Sequence, residues 1–301
     1  MQKIAVAICG WGNVGRGCKR AVAETSDVYL AGVVRRPISL IQKDPELENA
    51  RVVADIRELG KVDVALLCVP SREIPAKLRE MHDLGICTVD SYDEHDKIVA
   101  LKKDADIYAK SKKAVSIIGS GWDPGTDSAV RAIMKLVAIT GHTTTVFGGE
   151  KGGRSMGHTV AVKAVPGVKD AVSLSLADGR VQRRAVYVEL LTGADPDAVA
   201  KAIQKDPYFA QNKTEVHFVK SIDKYNTPRH GADIERTGMQ AGQKYLVEGI
   251  NAEFTANVMV SCARAVVSAR DKGEYGAYTF IERPLAEYLP GATLDEKLEG
   301  Y

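Results

Sequence analysis

The first 120 residues alternate short, unbroken apolar runs with longer segments whose apolar positions recur at helical spacing. The runs at 4–9, 28–34, 62–69, 87–90 and 114–120 are rich in Val, Ile and Cys and show little polar alternation. That pattern predicts parallel strands covered on both faces. Helices are predicted between them at 16–24, 73–84 and 96–110, with Gly85 where a helix end favours a left-handed residue. Strand and helix in this repeated order imply right-handed crossovers and a Rossmann-type, doubly wound parallel sheet of the α/β class.

The character changes after Gly125. A helix is predicted over 127–139, capped by Thr126 or Asp127. Runs at 143–147, 172–176, 184–191, 215–219 and 245–250 alternate apolar and polar residues, as half-buried strands do, and 196–204 reads as a helix. A second α+β domain with a mostly antiparallel sheet is therefore expected over 124–252. The segment 255–269 carries Ala, Val and Met on most helical faces. It is expected to return to the first domain, which then comprises 1–123 completed by 253–301. The crevice between two such domains is the default place for a site.

Composition narrows the function classes. With 41 basic and 39 acidic residues among 301, the chain has no global field to attract nucleic acid or an anionic membrane. The apolar run near the start is too short for a signal sequence, and none reaches the roughly 20 apolar residues of a membrane span. Cys9, Cys18, Cys68, Cys87 and Cys262 are scattered and lack CxxC spacing. They read as reduced thiols of a cytoplasmic protein, with no metal site.

Gly10-Trp11-Gly12-Asn13-Val14-Gly15 follows the first apolar strand and opens a helical pattern, the context that gives such a loop meaning. Gly10 permits a tight turn, Gly12 lets the backbone approach a pyrophosphate, and Gly15 allows close helix–strand packing. Asn13 and Val14 then fall where a helix N-terminus offers its N–H groups to phosphate. An acid after the second strand usually holds a free ribose 2′-hydroxyl, but Arg35-Arg36 stands there instead. Two guanidiniums suit a 2′-phosphate, which favours NADP over NAD; alone they would be a solvated basic pair. Cys68-Val69-Pro70-Ser71 and Ser91-Tyr92-Asp93 lie at the carboxyl ends of predicted strands, where open sheets bind ligands. Asp93 could instead cap the helical run after it. In Ser120-Gly121-Trp122-Asp123-Pro124-Gly125, Asp123 can reach an amino group and Trp122 can exclude water, although the same residues also suit a plain turn.

Six stretches in this order go beyond a nucleotide fingerprint: 12–16 (Gly-Asn-Val-Gly-Arg), 88–93 (Thr-Val-Asp-Ser-Tyr-Asp), 121–125 (Gly-Trp-Asp-Pro-Gly), 156–158 (Met-Gly-His), 165–168 (Val-Pro-Gly-Val) and 251–256 (Asn-Ala-Glu-Phe-Thr-Ala). On them the chain resembles the meso-diaminopimelate D-dehydrogenases along essentially its whole length. The resemblance implies NADP-dependent oxidative deamination at the D-configured carbon of meso-2,6-diaminopimelate, in lysine biosynthesis. It also implies a homodimer with a middle domain for substrate binding and dimerisation. By matched motif, Asp93, Asp123 and Trp122 become the catalytic group, one aspartate accepting a proton from the substrate ammonium. Phe147, Met156 and Gly157 would shape the pocket wall, and Ser175, Arg184, His230 and Asn251 would supply polar contacts.

Local chemistry alone gives blander readings. Arg184 reads as a solvated strand residue, Phe147 as core and His230 as an ordinary loop histidine. His95 and His158 read as supporting residues, Lys151 and Arg154 as loop decoration. Residues 148–154 look longer than the family's connection, Ser175 replaces an expected threonine, and Met156 an expected glutamine. Those departures imply wider use of D-amino acids. A dihydrodipicolinate reductase has no evident use for the paired acids, and a semialdehyde dehydrogenase needs a nucleophilic cysteine, which Cys262 in an apolar helix does not provide. A non-catalytic NADP(H) sensor would need a docking appendage, and the sequence shows neither a helix-turn-helix nor a basic patch. Exchanging Arg35→Asp together with Arg36→Ala is expected to weaken NADP+ binding about tenfold or more while sparing NAD+, in a fluorescence titration. Equal losses for both would contradict the arginine argument.

Overall fold

The computed structural model describes residues 3–37, 43–148, 152–178, 181–209, 213–239, 242–291 and 293–298. The chain first forms β1 (Ile4–Cys9), α1 (Asn13–Ala23), β2 (Val28–Val34), β3 (Val52–Val53), β4 (Val64–Leu67), α2 (Ile74–Asp83), β5 (Cys87–Asp90), α3 (Ile98–Lys112), β6 (Val115–Ile118) and α4 (Thr126–Val137). It continues through β7 (His142–Phe147), β8 (Gly153–Arg154), α5 (Met156–Lys163), β9 (Val168–Asp178), β10 (Val181–Leu190), α6 (Pro196–Lys205), β11 (Lys213–Phe218), β12 (Arg229–Thr237) and β13 (Gly242–Ile250). The last elements are α7 (Asn251–Asp271), β14 (Gly276–Thr279) and α8 (Leu294–Leu298). Two compact units result, Met1–Val130 with Ala252–Tyr301, and Arg131–Asn251.

The first unit is a seven-stranded sheet in the order β14-β6-β5-β4-β1-β2-β3, with every pairing parallel. Its strands explain their own apolar runs, because β4, β5 and β6 are buried at every position. Alternate residues feed opposite layers. Val6, Ile8, Leu66, Val89 and Ile117 pack with Cys18 of α1 and with Met259, Cys262 and Val266 of α7. Ala7, Leu67 and Ile118 pack on the other face with Leu78 and Met81 of α2 and Ala105 of α3. The switch in strand order falls between β1 and β4, so ligand chemistry is expected beyond their carboxyl ends.

The second unit holds two sheets, β11-β10-β9-β8 and β13-β12-β7. All pairings are antiparallel except β10 with β11. Helices α5 and α6 cover the first of them, through Ala161, Val162, Val199 and Ile203 against Ala171, Val186 and Val188.

Several elements escape the sequence pattern, and four of them do so for a clear physical reason. Strand β3 has two residues and β14 four, too short for periodicity to register. Helix α5 contains Thr, Val, Ala and Val in a row, whose β-branched residues mask a helix. Strand β12 begins directly after Pro228 and contains Gly231, both of which read as loop punctuation. A β-carbon on Gly231 would overlap the Val247 carbonyl oxygen of β13, so close strand approach explains that glycine. Within the first unit, a β-carbon on Gly15 would overlap the Gly10 carbonyl oxygen and lie 3.3 Å from Ile8 Cγ2. Gly15→Ala is therefore expected to cost about 1–3 kcal/mol of stability in urea denaturation, and an unchanged midpoint would contradict the packing argument.

Candidate functional site

The glycine loop grows out of β1 at the sheet's switch point. Gly10 takes φ +105°, and a β-carbon there would overlap the Cys68 carbonyl oxygen beyond β4. Gly12 caps α1 with extended backbone, and among the described residues outside its own stretch of chain nothing lies within 4 Å of where its β-carbon would stand. The loop is thus closed toward the sheet and open toward a phosphate at the N-terminus of α1. Asn13 is exposed and Val14 half-buried. After β2, Arg35 is half-buried and Arg36 exposed, and the Arg35 N–H donates to the Val53 carbonyl at 2.9 Å.

One part of this half-site was not read from the sequence. The Trp11 indole Nε1 donates to Asp44 at 2.8 Å, while Arg16 donates to Asp44 at 2.5 and 3.2 Å and to Glu46 at 2.7 Å. The Arg16 guanidinium, helped by Trp11, holds the Asp44 carboxyl down at about 2. Asp44 and Glu46 lie in a polar stretch without periodicity, so their pairing with the loop has no sequence signal.

Beyond β4 and β5 the two predicted loops meet. The Ser71 hydroxyl donates to Asp93 Oδ1 at 2.5 Å, and the Asp93 N–H donates back to Ser71 Oγ at 3.2 Å. Cys68, Val69 and Ser91 are half-buried and Pro70 is exposed. The Tyr92 ring instead sits in the core layer with Leu67 and Ile118, so at this strand end it presents backbone rather than its side chain. Burial pushes the Cys9 thiol up to about 12, in keeping with a packing role. After β6, Trp122 is buried and meets Phe254 of α7 edge-on, with ring centres 6.2 Å apart. Asp123 is half-buried, and His95 Nε2 lies 3.9 Å from its Oδ1.

In the second unit, Arg184 of β10 stands opposite Ser175 of β9, and its Nη1 donates to Ser175 Oγ at 3.3 Å. Arg184 is only 6% exposed, and among the described residues its Nε has no hydrogen-bond partner and no carboxylate lies within ion-pair distance. Burial alone pulls this guanidinium down to about 10. The solvated strand arginine suggested by local chemistry is thereby corrected: alternation along β10 turns it inward. His230 is likewise a buried residue of β12 rather than a loop histidine, and its ring stacks over Phe147 at 6.2 Å. Burial, and then the Arg184 charge, pull its pKa down to about 4. A β-carbon on Gly153 would overlap the His230 ring, which explains a glycine in β8.

Met156 and Gly157 form the first turn of α5, where N–H groups have no partner within the helix. His158 steadies that turn: the Ser155 hydroxyl donates to its Nδ1 at 2.8 Å, and its Nε2 donates to the Tyr208 carbonyl at 2.7 Å. The Asn251 amide donates to the Arg154 carbonyl at 3.1 Å. Arg154 belongs to β8 and donates to Asn226 at 2.8 Å, so it does more than decorate a loop. Lys151, and with it part of the 148–154 connection, lies outside the described residues.

A parallel sheet with an open glycine loop at its switch point, joined to a second unit whose buried Arg184 meets no acid among the described residues, fits a dinucleotide-dependent oxidoreductase. The comparisons with known proteins narrow this class. The chain is 43% identical over 297 residues to the meso-diaminopimelate D-dehydrogenase of Bacteroides fragilis, covering 97% of each. Its fold matches the Corynebacterium glutamicum DAP dehydrogenase in complex with DAP with a TM-score of 0.86, at 27% identity and 98% coverage of both chains. An engineered D-amino acid dehydrogenase bound to NADP+ matches with a TM-score of 0.84, at 28% identity and 98% coverage of both. No family model matches the chain. On the strength of that relative, the chain belongs to the meso-diaminopimelate D-dehydrogenase family.

The buried histidines make stability depend on pH. Burial lowers both His82 and His230 to about 4, below the value near 6.5 of an unfolded chain. Between those values the unfolded state binds protons that the folded state does not, so stability is full above about pH 6.5 and falls as pH drops toward 4. His230→Asn is expected to reduce the slope of unfolding free energy against pH by about one proton over that window, in urea titrations. An unchanged slope would contradict the assignment.

Proposed function

We propose that this protein catalyses the NADP-dependent oxidative deamination of meso-2,6-diaminopimelate at its D-configured carbon. The products are L-2-amino-6-oxopimelate, ammonia and NADPH, and the reverse reductive amination is equally available. One observation carries the reading: Arg184 is a buried cation that meets no acid among the described residues, which costs stability unless an anionic group completes it. A substrate carboxylate does so, and the fork of the guanidinium suits it.

The second unit supplies the carboxylate contacts. Ser175 and Arg184 grip one carboxylate, and His230, neutral at pH 7, adds a ring N–H. The first-turn N–H groups of Met156 and Gly157 suit the other carboxylate, Asn251 adds an amide, and Phe147 walls the pocket. Ser175 and Met156 in place of threonine and glutamine favour some use of other D-amino acids.

The first unit holds the nucleotide and the amine. Gly10, Gly12, Asn13, Val14 and Gly15 cradle the pyrophosphate, and Arg35 and Arg36 take the 2′-phosphate. Cys68, Val69, Pro70, Ser71, Ser91 and the Tyr92 backbone line the remainder. The open face at Gly12 fits such a group, since among the described residues outside its own stretch of chain no atom stands within 4 Å of its missing β-carbon. When bound, the nicotinamide accepts a hydride. Asp93 and Asp123 hold the substrate ammonium, and one of them takes its proton, leaving the neutral amine that hydride loss requires. The nitrogen lone pair then closes a C=N bond as the hydride departs; water adds to the carbon, and ammonia leaves. Trp122 keeps bulk water from the apolar side of Asp123.

A homodimer formed through the domain at about 124–252 accompanies this reading, in the cytoplasm and in lysine biosynthesis. In its support, the second unit exposes Leu136, Val137 and Ile139 at the end of α4 and Leu246 and Ile250 on the edge strand β13.

Mixing the protein with NADP+ and the meso, L,L or D,D isomer tests the activity by absorbance of NADPH. Turnover is expected with the meso isomer and not with L,L; silence with the meso isomer would end the proposal. Arg184→Ala is expected to raise KM for the meso isomer by roughly tenfold to a hundredfold while leaving NADP+ affinity unchanged. Leu136→Asp with Leu246→Asp is expected to halve the mass measured by light scattering, and an unchanged mass would remove this face from the dimer.

A further inference from the structure

Asp90 ends β5, is completely buried, and has no part in the roles assigned so far. Its Oδ1 accepts the Tyr92 N–H at 3.0 Å and the Gly119 N–H at 3.0 Å. Its backbone carbonyl accepts the Ser120 N–H at 2.7 Å and the Ser120 hydroxyl at 2.6 Å. Its Oδ2 has no hydrogen-bond partner among the described residues. The ladder between β5 and β6 pairs Thr88 with Ser116 and Val89 with Ile117. Beyond those pairs, Asp90 takes over the job of joining the two chains as they leave the sheet.

The chains it joins are the two acid-bearing loops. Tyr92 directly precedes Asp93, while Gly119 and Ser120 lead into Trp122 and Asp123. Gly119 sits at φ +60° with the Pro124 ring 3.2 Å from its missing β-carbon, so this loop folds back over the same anchor. A carboxyl without a cation is an expensive way to fill a core. Burial pushes it up to about 6, while the two N–H donors oppose that rise, and Tyr92 and Cys262 are the titratable groups beside it. An apolar residue would pack at lower cost but could not accept hydrogen bonds from both loops.

We propose that Asp90 is a positioning residue that holds the two aspartate-bearing loops at a fixed separation, so that Asp93 and Asp123 engage the substrate amino group as a pair. The inference rests on the roles given to those two residues in the proposed function. Misplacement by about 1 Å can cost on the order of a hundredfold in rate, so a carboxyl remote from the substrate still controls turnover.

Asp90→Ala and Asp90→Asn in the full chain test it, read by hydrogen–deuterium exchange and by kinetics. In Asp90→Ala, exchange should accelerate in peptides covering 91–95 and 119–125 while 9–18 keeps its wild-type rate. Its kcat should fall by about thirtyfold or more with NADP+ affinity within about twofold. Asp90→Asn keeps an oxygen for both N–H donors and should restore kcat to within about fivefold of wild type. Exchange needs no turnover, so a wild-type protein silent toward the meso isomer would end the proposed reaction and leave loop positioning to the exchange data. Wild-type exchange in both loops of Asp90→Ala would overturn the inference, as would equal losses of kcat in the Ala and Asn variants. If Asp90→Ala does not fold, Asp90→Val, which fills the space without an acceptor, decides: faster exchange in 91–95 and 119–125 with a several-fold lower kcat supports the inference, and wild-type values of both overturn it.

Discussion

The close approach of β1 and β4 at their carboxyl ends is the constraint on which the first unit depends. The Cys68 N–H donates to the Cys9 carbonyl at 2.8 Å, and Gly10 leaves β1 against the Cys68 carbonyl with no side chain between them. Only a residue without a β-carbon can turn there, and only then can α1 begin close enough to β1 for Gly15 to meet the Gly10 carbonyl. The open N-terminus of α1, the position of Arg35 after β2 and the loops beyond β4, β5 and β6 all follow from a parallel sheet built outward from that contact. The bonds from Trp11 and Arg16 to Asp44 tie the cradle to the segment that follows β2.

Each unit holds a buried charge next to residues of the proposed site. In the first, Asp90 holds a carboxyl under the acid-bearing loops with two N–H donors and, among the described residues, no cation. In the second, the Arg184 guanidinium meets the Ser175 hydroxyl and the Phe209 ring and, among the described residues, no acid. Neither is what a core needs for stability, since each would be cheaper as an apolar residue. Stability given up at such places is common where a site is held ready for its ligand. His230 fits the same logic, because burial and the neighbouring guanidinium keep it neutral, able to donate without adding repulsion.

Much of this was legible from the chain. The buried parallel strands announce themselves as unbroken apolar runs, and Gly10, Gly12 and Gly15 carry their spacing into the structure unchanged. What stayed hidden depends on contacts between distant segments. Arg184 and His230 look ordinary in their own surroundings, and only cross-strand pairing shows that they face inward. Tyr92 looked like a ligand contact by position, but its ring belongs to the core. Asp90 lies within a recognisable stretch, 88–93, yet nothing in its neighbours reveals the N–H of Gly119, which is distant in sequence. The helix at 156–163 was masked by its β-branched residues, and β3 and β14 by their brevity.

The central claim is that a hydride leaves the D-configured carbon of a dicarboxylate held through Arg184, while the amine is held by Asp93 and Asp123. The most direct measurement follows one atom. With meso-diaminopimelate carrying deuterium only at the D-configured carbon, the reduced cofactor is isolated after a single turnover and read by NMR. The account predicts deuterium on C4 of the nicotinamide and none left in the 2-amino-6-oxopimelate. Deuterium retained in the product, with unlabelled NADPH, would place the chemistry at the other centre and contradict the account.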